Sequence, residues 1–188
     1  MKATSEERLA RVTPEGLDEA QRALYDAIAG GRRAAGGSPF PLTGPDGALN
    51  GPFNAMLLQP ALGTALQALG GAVRYETALS DRARELAILV VARAQNSAFE
   101  RSAHEAVGRA AGLSEDELRT LYSDDPAERL VVDTAAALAE HEDLTDAEFA
   151  RARDGLGLPA VFELTTLVGY YATLALQLRV FRAEPETP

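Results

Sequence analysis

The residues best equipped for chemistry in this 188-residue chain fall in one stretch, Arg84 to Glu105, which reads R-E-L-A-I-L-V-V-A-R-A-Q-N-S-A-F-E-R-S-A-H-E. It holds the longest apolar run of the chain, with Glu85 at its start and Ser97, Glu100 and His104 beyond a polar break at Gln95-Asn96. If two helices fold back on each other at that break, Glu85 and His104 each sit roughly 14 Å from the turn, side by side, because a helix rises about 1.5 Å per residue. A carboxylate beside an imidazole in apolar surroundings is a candidate acid/base pair. Ser97, Glu100 and His104 share one helix face and can line a common pocket. Glu100, one turn before His104, is placed to hold one ring nitrogen and turn the other toward a ligand. Arg101 has two options, Glu105 one turn on or an anionic substrate. Spacing alone leaves plainer readings open: a solvated Glu-His pair, a helix-start charge at Glu85, a helix cap at Ser97. His141, the other histidine, lies in E-H-E-D at a helix end, where its charged neighbours account for it. Glu85, Glu100 and His104 are too weak a set to predict a metal, and no H-E-x-x-H spacing supports one.

These residues need helices to position them, and the chain is punctuated for helices throughout. Thr13-Pro14-Glu15 predicts a helix start followed by Leu17, Ala20, Leu24, Ala27 and Ile28 at helical spacing. Pro52 to Leu58 reads as a short helix, and Pro60 opens another that Gly70-Gly71 weakens. Ser80 caps the apolar helix that carries Glu85, and a helix over about 97–111 carries His104. Leu113 to Glu117 and Thr145 to Glu148 have capping-box spacing. A further helix spans 126–142, and Gly155 to Pro159 is a break and restart. No stretch alternates as a strand would, so the fold class is all-α, a single domain over 1–188 with eight or so helices. Residues 30–52 hold so many glycines and prolines that they read as a long loop or arm without helix or sheet, ordered and packed on a neighbour because Phe40, Leu42 and Leu49 need apolar partners. The last helix, Pro159 to Phe181, is apolar on most faces, which predicts an interface between copies of the chain.

Composition removes whole classes of function. Eighteen Lys and Arg stand against 28 Asp and Glu, a formal charge of −10, and no basic stripe interrupts it, so nucleic acid is not an expected partner. The chain has no cysteine. Thiolate metal sites, disulfide exchange and thiol peroxidase chemistry are therefore closed to it. The N-terminus lacks the apolar core of a signal peptide and no uninterrupted apolar run reaches membrane-spanning length, so the expectation is a cytoplasmic protein with no membrane partner.

Four ordered motifs carry a family resemblance: Leu49-Asn50-Gly51-Pro52-Phe53-Asn54-Ala55-Met56-Leu57, Arg84-Glu85-Leu86-Ala87-Ile88-Leu89-Val90-Val91-Ala92-Arg93, Asn96-Ser97-x-Phe99-Glu100-x-x-Ala103-His104-Glu105, and Leu167-Val168-Gly169-Tyr170-Tyr171. Together they resemble the carboxymuconolactone decarboxylase family, part of the alkylhydroperoxidase D-like proteins. The resemblance implies an alkylhydroperoxidase D-like helical bundle with a central antiparallel helix pair, and a homo-oligomer, trimeric or hexameric. In the peroxidase branch a C-x-x-C pair stands where this chain has Ser97 and Glu100, so only the branch that works without thiols fits. Many similar proteins carry His-Trp before the Ser position and aromatic residues between the Glu and the His. Here Ala94-Gln95 and Arg101-Ser102 stand instead, which predicts a pocket with less bulk, an added cation and an altered substrate.

The resemblance implies a cofactor-free, decarboxylase-like enzyme acting by proton transfer on a small carboxylated, lactone or carbonyl substrate. His104 is the expected proton donor or shuttle, Glu100 its orienting partner, and Glu85 a second acid/base group or a stabiliser of the imidazolium. Ser97, Phe53, Asn54, Arg101 and Tyr170 are the expected substrate contacts. Isomerisation, cyclisation or elimination would draw on the same residues. The alternative is a non-catalytic binding or assembly module on the same fold.

Overall fold

The computed structural model describes residues 8–35 and 40–183. Among them the chain forms ten α-helices: α1 (Glu19–Ala29), α2 (Arg32–Ala35), α3 (Pro52–Met56), α4 (Pro60–Tyr75), α5 (Asp81–Ala94), α6 (Ala98–Ala110), α7 (Glu115–Thr120), α8 (Pro126–His141), α9 (Asp146–Leu156) and α10 (Leu158–Phe181). Backbone pairing of the extended kind is limited, among the described residues, to one antiparallel bridge between Thr43 and Leu49. The all-α expectation holds.

Helix α5 is the axis of the molecule. Every residue from Ala83 to Ala92 is buried, and α6, α8 and α10 pack around it. A fully buried Leu, Ile or Val side chain contributes about 1.5–3 kcal/mol, so the apolar run of α5 fixes the core. Its start is set by the Ser80 hydroxyl, which accepts from the Ala83 N–H. At its far end Asn96 takes a left-handed conformation with φ of 50°, which Asn tolerates better than most residues. The Ser97 N–H then bonds back to the Ala92 carbonyl at 2.9 Å. The Ser97 side chain caps α6 by accepting from the Glu100 N–H. The chain thus reverses over three residues, Gln95 to Ser97, and α6 returns antiparallel along α5.

Four details differ from the sequence expectation. The helix expected from Thr13 is split into a single 3-10 turn, Pro14–Gly16, and α1, because Asp18 and Gln21 form a capping box that reopens the helix. Helix α4 runs through Gly70-Gly71 to Tyr75, held by α1, α3 and α10. Residues 30–52 are not wholly irregular, since α2 forms there and Leu42 to Asn50 make a turn closed by Asn50 N–H to Leu42 O at 2.9 Å. The apolar partners of that arm lie within the chain: Leu49 is fully buried, Leu42 packs on the core and Phe40 meets Phe99 edge-on at 5.0 Å. Positions 36–39 of the arm are outside the described residues. Finally, α10 is long and apolar enough, with a mean hydropathy of 1.2, to cross a membrane by length and composition alone. Half of that window is buried against the bundle, and Glu163 in its second turn is tied down by Thr77 Oγ1 at 2.6 Å and the Ala78 N–H at 3.0 Å.

Candidate functional site

The hairpin places Glu85 and His104 in contact. Glu85 Oε2 lies 2.6 Å from His104 Nδ1, and both side chains are buried. Glu100 stands on the opposite edge of the ring, its Oε2 3.4 Å from Nε2. Glu85 is thus the carboxylate in hydrogen-bond contact with the ring, the place expected for Glu100, and Glu100 sits at the edge that carries Nε2. The reason is geometric, since a helical neighbour one turn away reaches the outer edge of the ring while the facing helix meets its base. Because the carboxylates occupy opposite ring edges, the three groups do not converge on one point where an ion would sit.

Burial works against charge on His104, but Glu85 and Glu100 outweigh it and raise its pKa above the ordinary 6.5. Burial likewise favours neutral Glu85, yet the imidazole, Arg74 and Arg84 hold its carboxyl below the ordinary 4.5. Arg84 Nε lies 3.5 Å from Glu85 Oε1, and its Nη2 reaches Asp81 at 2.8 Å. Each group thus favours the charged form of the other, across the contact between His104 Nδ1 and Glu85 Oε2. Tyr171 packs edge-on against the His104 ring at 5.1 Å and fixes its plane, and Tyr170 packs edge-on against Tyr171 at the same distance.

His104 and Glu100 open onto a cavity of about 230 Å³, whereas Glu85 lies behind the ring and does not line it. The Nε2 edge is therefore the one that meets a ligand. The floor and walls include Phe53, Phe99, Tyr170 and Tyr171, and the arm supplies Arg32, Arg33, Phe40 and Leu42. Arg74 joins them from α4. Burial disfavours charge on Arg74 too, but Tyr171 and Glu85 raise its pKa. Burial pushes the Tyr171 hydroxyl upward against the pull of Arg74. Tyr170 is raised by burial in the same way, with Arg33 drawing it back.

Of the residues expected from sequence, the structure brings His104, Glu100, Phe53 and Tyr170 to this cavity and places Glu85 in direct support. Three others go elsewhere. The Ser97 oxygen is used as the α6 cap. The Asn54 amide is buried away from the site, accepting from the Val12 N–H at 3.1 Å and donating to the Ala10 carbonyl at 3.2 Å. Arg101 is exposed and pairs with Glu105 at 2.7 Å. Ala94, Arg101 and Ser102 are exposed, and neither they nor Gln95 line the cavity. The added cation is thus not Arg101. Arg32, Arg33, Arg74 and Tyr171 were the residues sequence reasoning missed. One signal did exist: Arg74 is the only charged residue in the sixteen of α4, in an otherwise uncharged helix.

Comparison with known proteins agrees with this architecture. Residues 60–140 match the model of the carboxymuconolactone decarboxylase family, which bears out the resemblance over that span. No curated protein matches the sequence. Among solved structures, the alkylhydroperoxidase AhpD core of an uncharacterized peroxidase-related protein from Ralstonia eutropha JMP134 superposes with a TM-score of 0.75 at 16% identity, over 96% of this chain and 92% of that one. The debrominase Bmp8, in a cysteine-to-alanine form in complex with 2,3,4-tribromopyrrole, gives 0.71 at 13% identity, over 97% of this chain and 95% of that one. At such identities the likeness is one of fold, and the fold is AhpD-like. This chain, which has no cysteine, carries it without a redox thiol pair.

Proposed function

We propose that this chain, which carries the carboxymuconolactone decarboxylase family pattern over residues 60–140 on an AhpD-like fold, is a proton-transfer enzyme of decarboxylase-like type acting on a small carboxylated carbonyl compound. One observation carries the reading: a buried imidazole held at Nδ1 by Glu85, with its Nε2 edge turned to a cavity. In the step proposed, the bond between the substrate carbon and its carboxylate breaks and carbon dioxide leaves. The electron pair is delocalised onto the substrate's own conjugated carbonyl. His104 Nε2–H then protonates the carbanion carbon, and the neutral ring is reprotonated from solvent. Glu85 positions the ring and stabilises its charged form, which makes it a positioning residue, and the cavity holds the reacting carbon within reach.

The test is loss of carboxylate, or exchange of carbon-bound protons for deuterium, followed by NMR over a panel of small keto and lactone acids. Turnover in the native protein should fall about 10²–10⁴-fold in His104→Gln, the range general acid catalysis supplies. Equal rates in the two proteins would sink the reading, and tight binding without turnover in either would leave a binding module.

A second copy of the chain is proposed as the cover for the outer side of α10. Phe162 is 72% exposed there, with Leu158, Leu176 and Val180 also exposed and Leu62 and Leu69 of α4 among the other large apolar side chains left open. Light scattering should give a mass above the monomer at micromolar concentration, and a monomer would contradict this.

A further inference from the structure

Two groups on the cavity wall are left chemically incomplete, and they are complementary in what they lack. Arg33 has both Nε and Nη2 buried and neither makes an aligned hydrogen bond, although the Tyr170 hydroxyl is close by. These two atoms form one edge of the guanidinium, the fork that takes both oxygens of a carboxylate side-on. Arg33 is held in place with its guanidinium 5.4 Å from the centre of the Phe53 ring. Arg74 Nε is buried and open as well. Glu100 is 97% buried by its 3% exposure, and its Oε1 has no partner either, since Oε2 is the atom that faces His104. A buried donor or acceptor without a partner is destabilising, and more so when charged, so atoms of both kinds facing one cavity are not explained by folding. They do not satisfy each other. Around them the wall is aromatic: Phe40 and Phe99 meet edge-on, and Phe53 lies beside Arg33. The space, about 230 Å³, equals the liquid volume of roughly eight waters, enough for one small ring with substituents.

We infer that the cavity selects a ring-sized hydroxy acid or its nitrogen analogue, whose oxyanion docks on the Arg33 fork and whose O–H or N–H donates to Glu100 Oε1. Arg33 and Glu100 are then the specificity-determining residues of the site, and neither an anion alone nor a neutral donor alone completes it. This rests on the proposed function only in sharing its cavity, since binding is read without turnover.

Calorimetric titration of the full chain with 2-, 3- and 4-hydroxybenzoate, benzoate, phenol and phenyl phosphate tests it. The expected result is that at least one hydroxybenzoate binds tenfold or more tightly than both benzoate and phenol. Arg33→Met should lose tenfold or more for that acid with phenol unchanged. Arg33→Lys, which keeps the charge and loses the fork, should recover part of the affinity. Glu100→Gln should shrink the preference over benzoate, and a matching melting temperature for Arg33→Met shows that the fold is intact. Phenyl phosphate binding as tightly as the hydroxybenzoate would assign the fork to phosphate esters and overturn the carboxylate class. Unchanged affinity in Arg33→Met, or no probe binding at millimolar concentration, overturns the inference outright. Binding that survives His104→Gln while no acid is turned over leaves it standing and sinks the proton-transfer reading alone.

Discussion

Two charged clusters hang from α5, and they are finished to different degrees. Arg82 ties α5 to α7 and α8: Nε and Nη2 meet the two oxygens of Glu128 at 3.0 and 3.1 Å, Nη2 also meets Glu117, and Nη1 meets the Gly112 carbonyl. Ser123 Oγ donates to Glu128 at 2.6 Å. All three guanidinium nitrogens are used. A few residues along, Glu85, His104 and Glu100 form a more deeply buried cluster in which Glu85 is held by His104 and Arg84, while Glu100 Oε1 is left open at the cavity beside open atoms of Arg33 and Arg74. A network that closes on itself serves to join helices. One that leaves matched donors and acceptors facing a cavity is complete only with something in it.

Breaking each cluster should show that difference. The largest effect on stability is expected from Glu85→Ala, which removes the Nδ1 partner of buried His104 and an ion-pair partner of Arg84 and should cost about 3–5 kcal/mol in denaturant unfolding. Arg82→Met should cost less, about 1–3 kcal/mol, because Glu128 keeps Ser123 and some access to water. It should leave ligand binding at the cavity unchanged, and a binding defect in Arg82→Met would collapse the distinction.

The pH dependence sharpens the contrast further. His104 has a raised pKa, so its contribution is complete below the ordinary 6.5 and is lost as pH climbs through the raised value. Glu85 has a lowered pKa, so its contribution is complete above the ordinary 4.5 and is lost as pH falls through the lowered value. The melting-temperature gap between native protein and Glu85→Ala should therefore be widest between 4.5 and 6.5 and narrow as pH climbs through the raised value of His104 or falls through the lowered value of Glu85. The gap for Arg82→Met should stay flat over the same range. Arg82 remains charged, and Glu117, held down first by the Ser114 backbone and then by Arg82, titrates at about 2. Smaller effects are expected at the positions the site does not use. Ser97→Ala should cost about 1 kcal/mol as a lost helix cap, and Arg101→Ala should stay within about 0.5 kcal/mol, with affinity at the cavity unchanged in both.

The contact between Glu85 and His104 was legible in sequence because helix rise is constant and the turn at Gln95-Asn96 is local. The caps at Ser80, Ser114 and Thr145 were legible for the same reason: each is decided within four residues. The cation wall was not, because Arg33 and Arg74 are brought together only by the path of the arm, which no periodicity encodes. Asn54 and Ser97 misled for a related reason. A polar side chain in a motif looks available to a ligand until the backbone groups that claim it are known.

Gly70 shows how the site constrains the scaffold around it. It stands in the interior of α4, where helix propensity favours alanine by about 1 kcal/mol. A Cβ there would lie 2.1 Å from the Tyr170 hydroxyl oxygen and 2.8 Å from Arg33 Nη2. The substitution that any helix-strengthening scheme would choose first is thus the one that pushes two walls of the cavity apart. Thermostabilisation of this protein by consensus with good helix formers would come at the expense of its pocket, and a screen for melting temperature alone would select against whatever the pocket does.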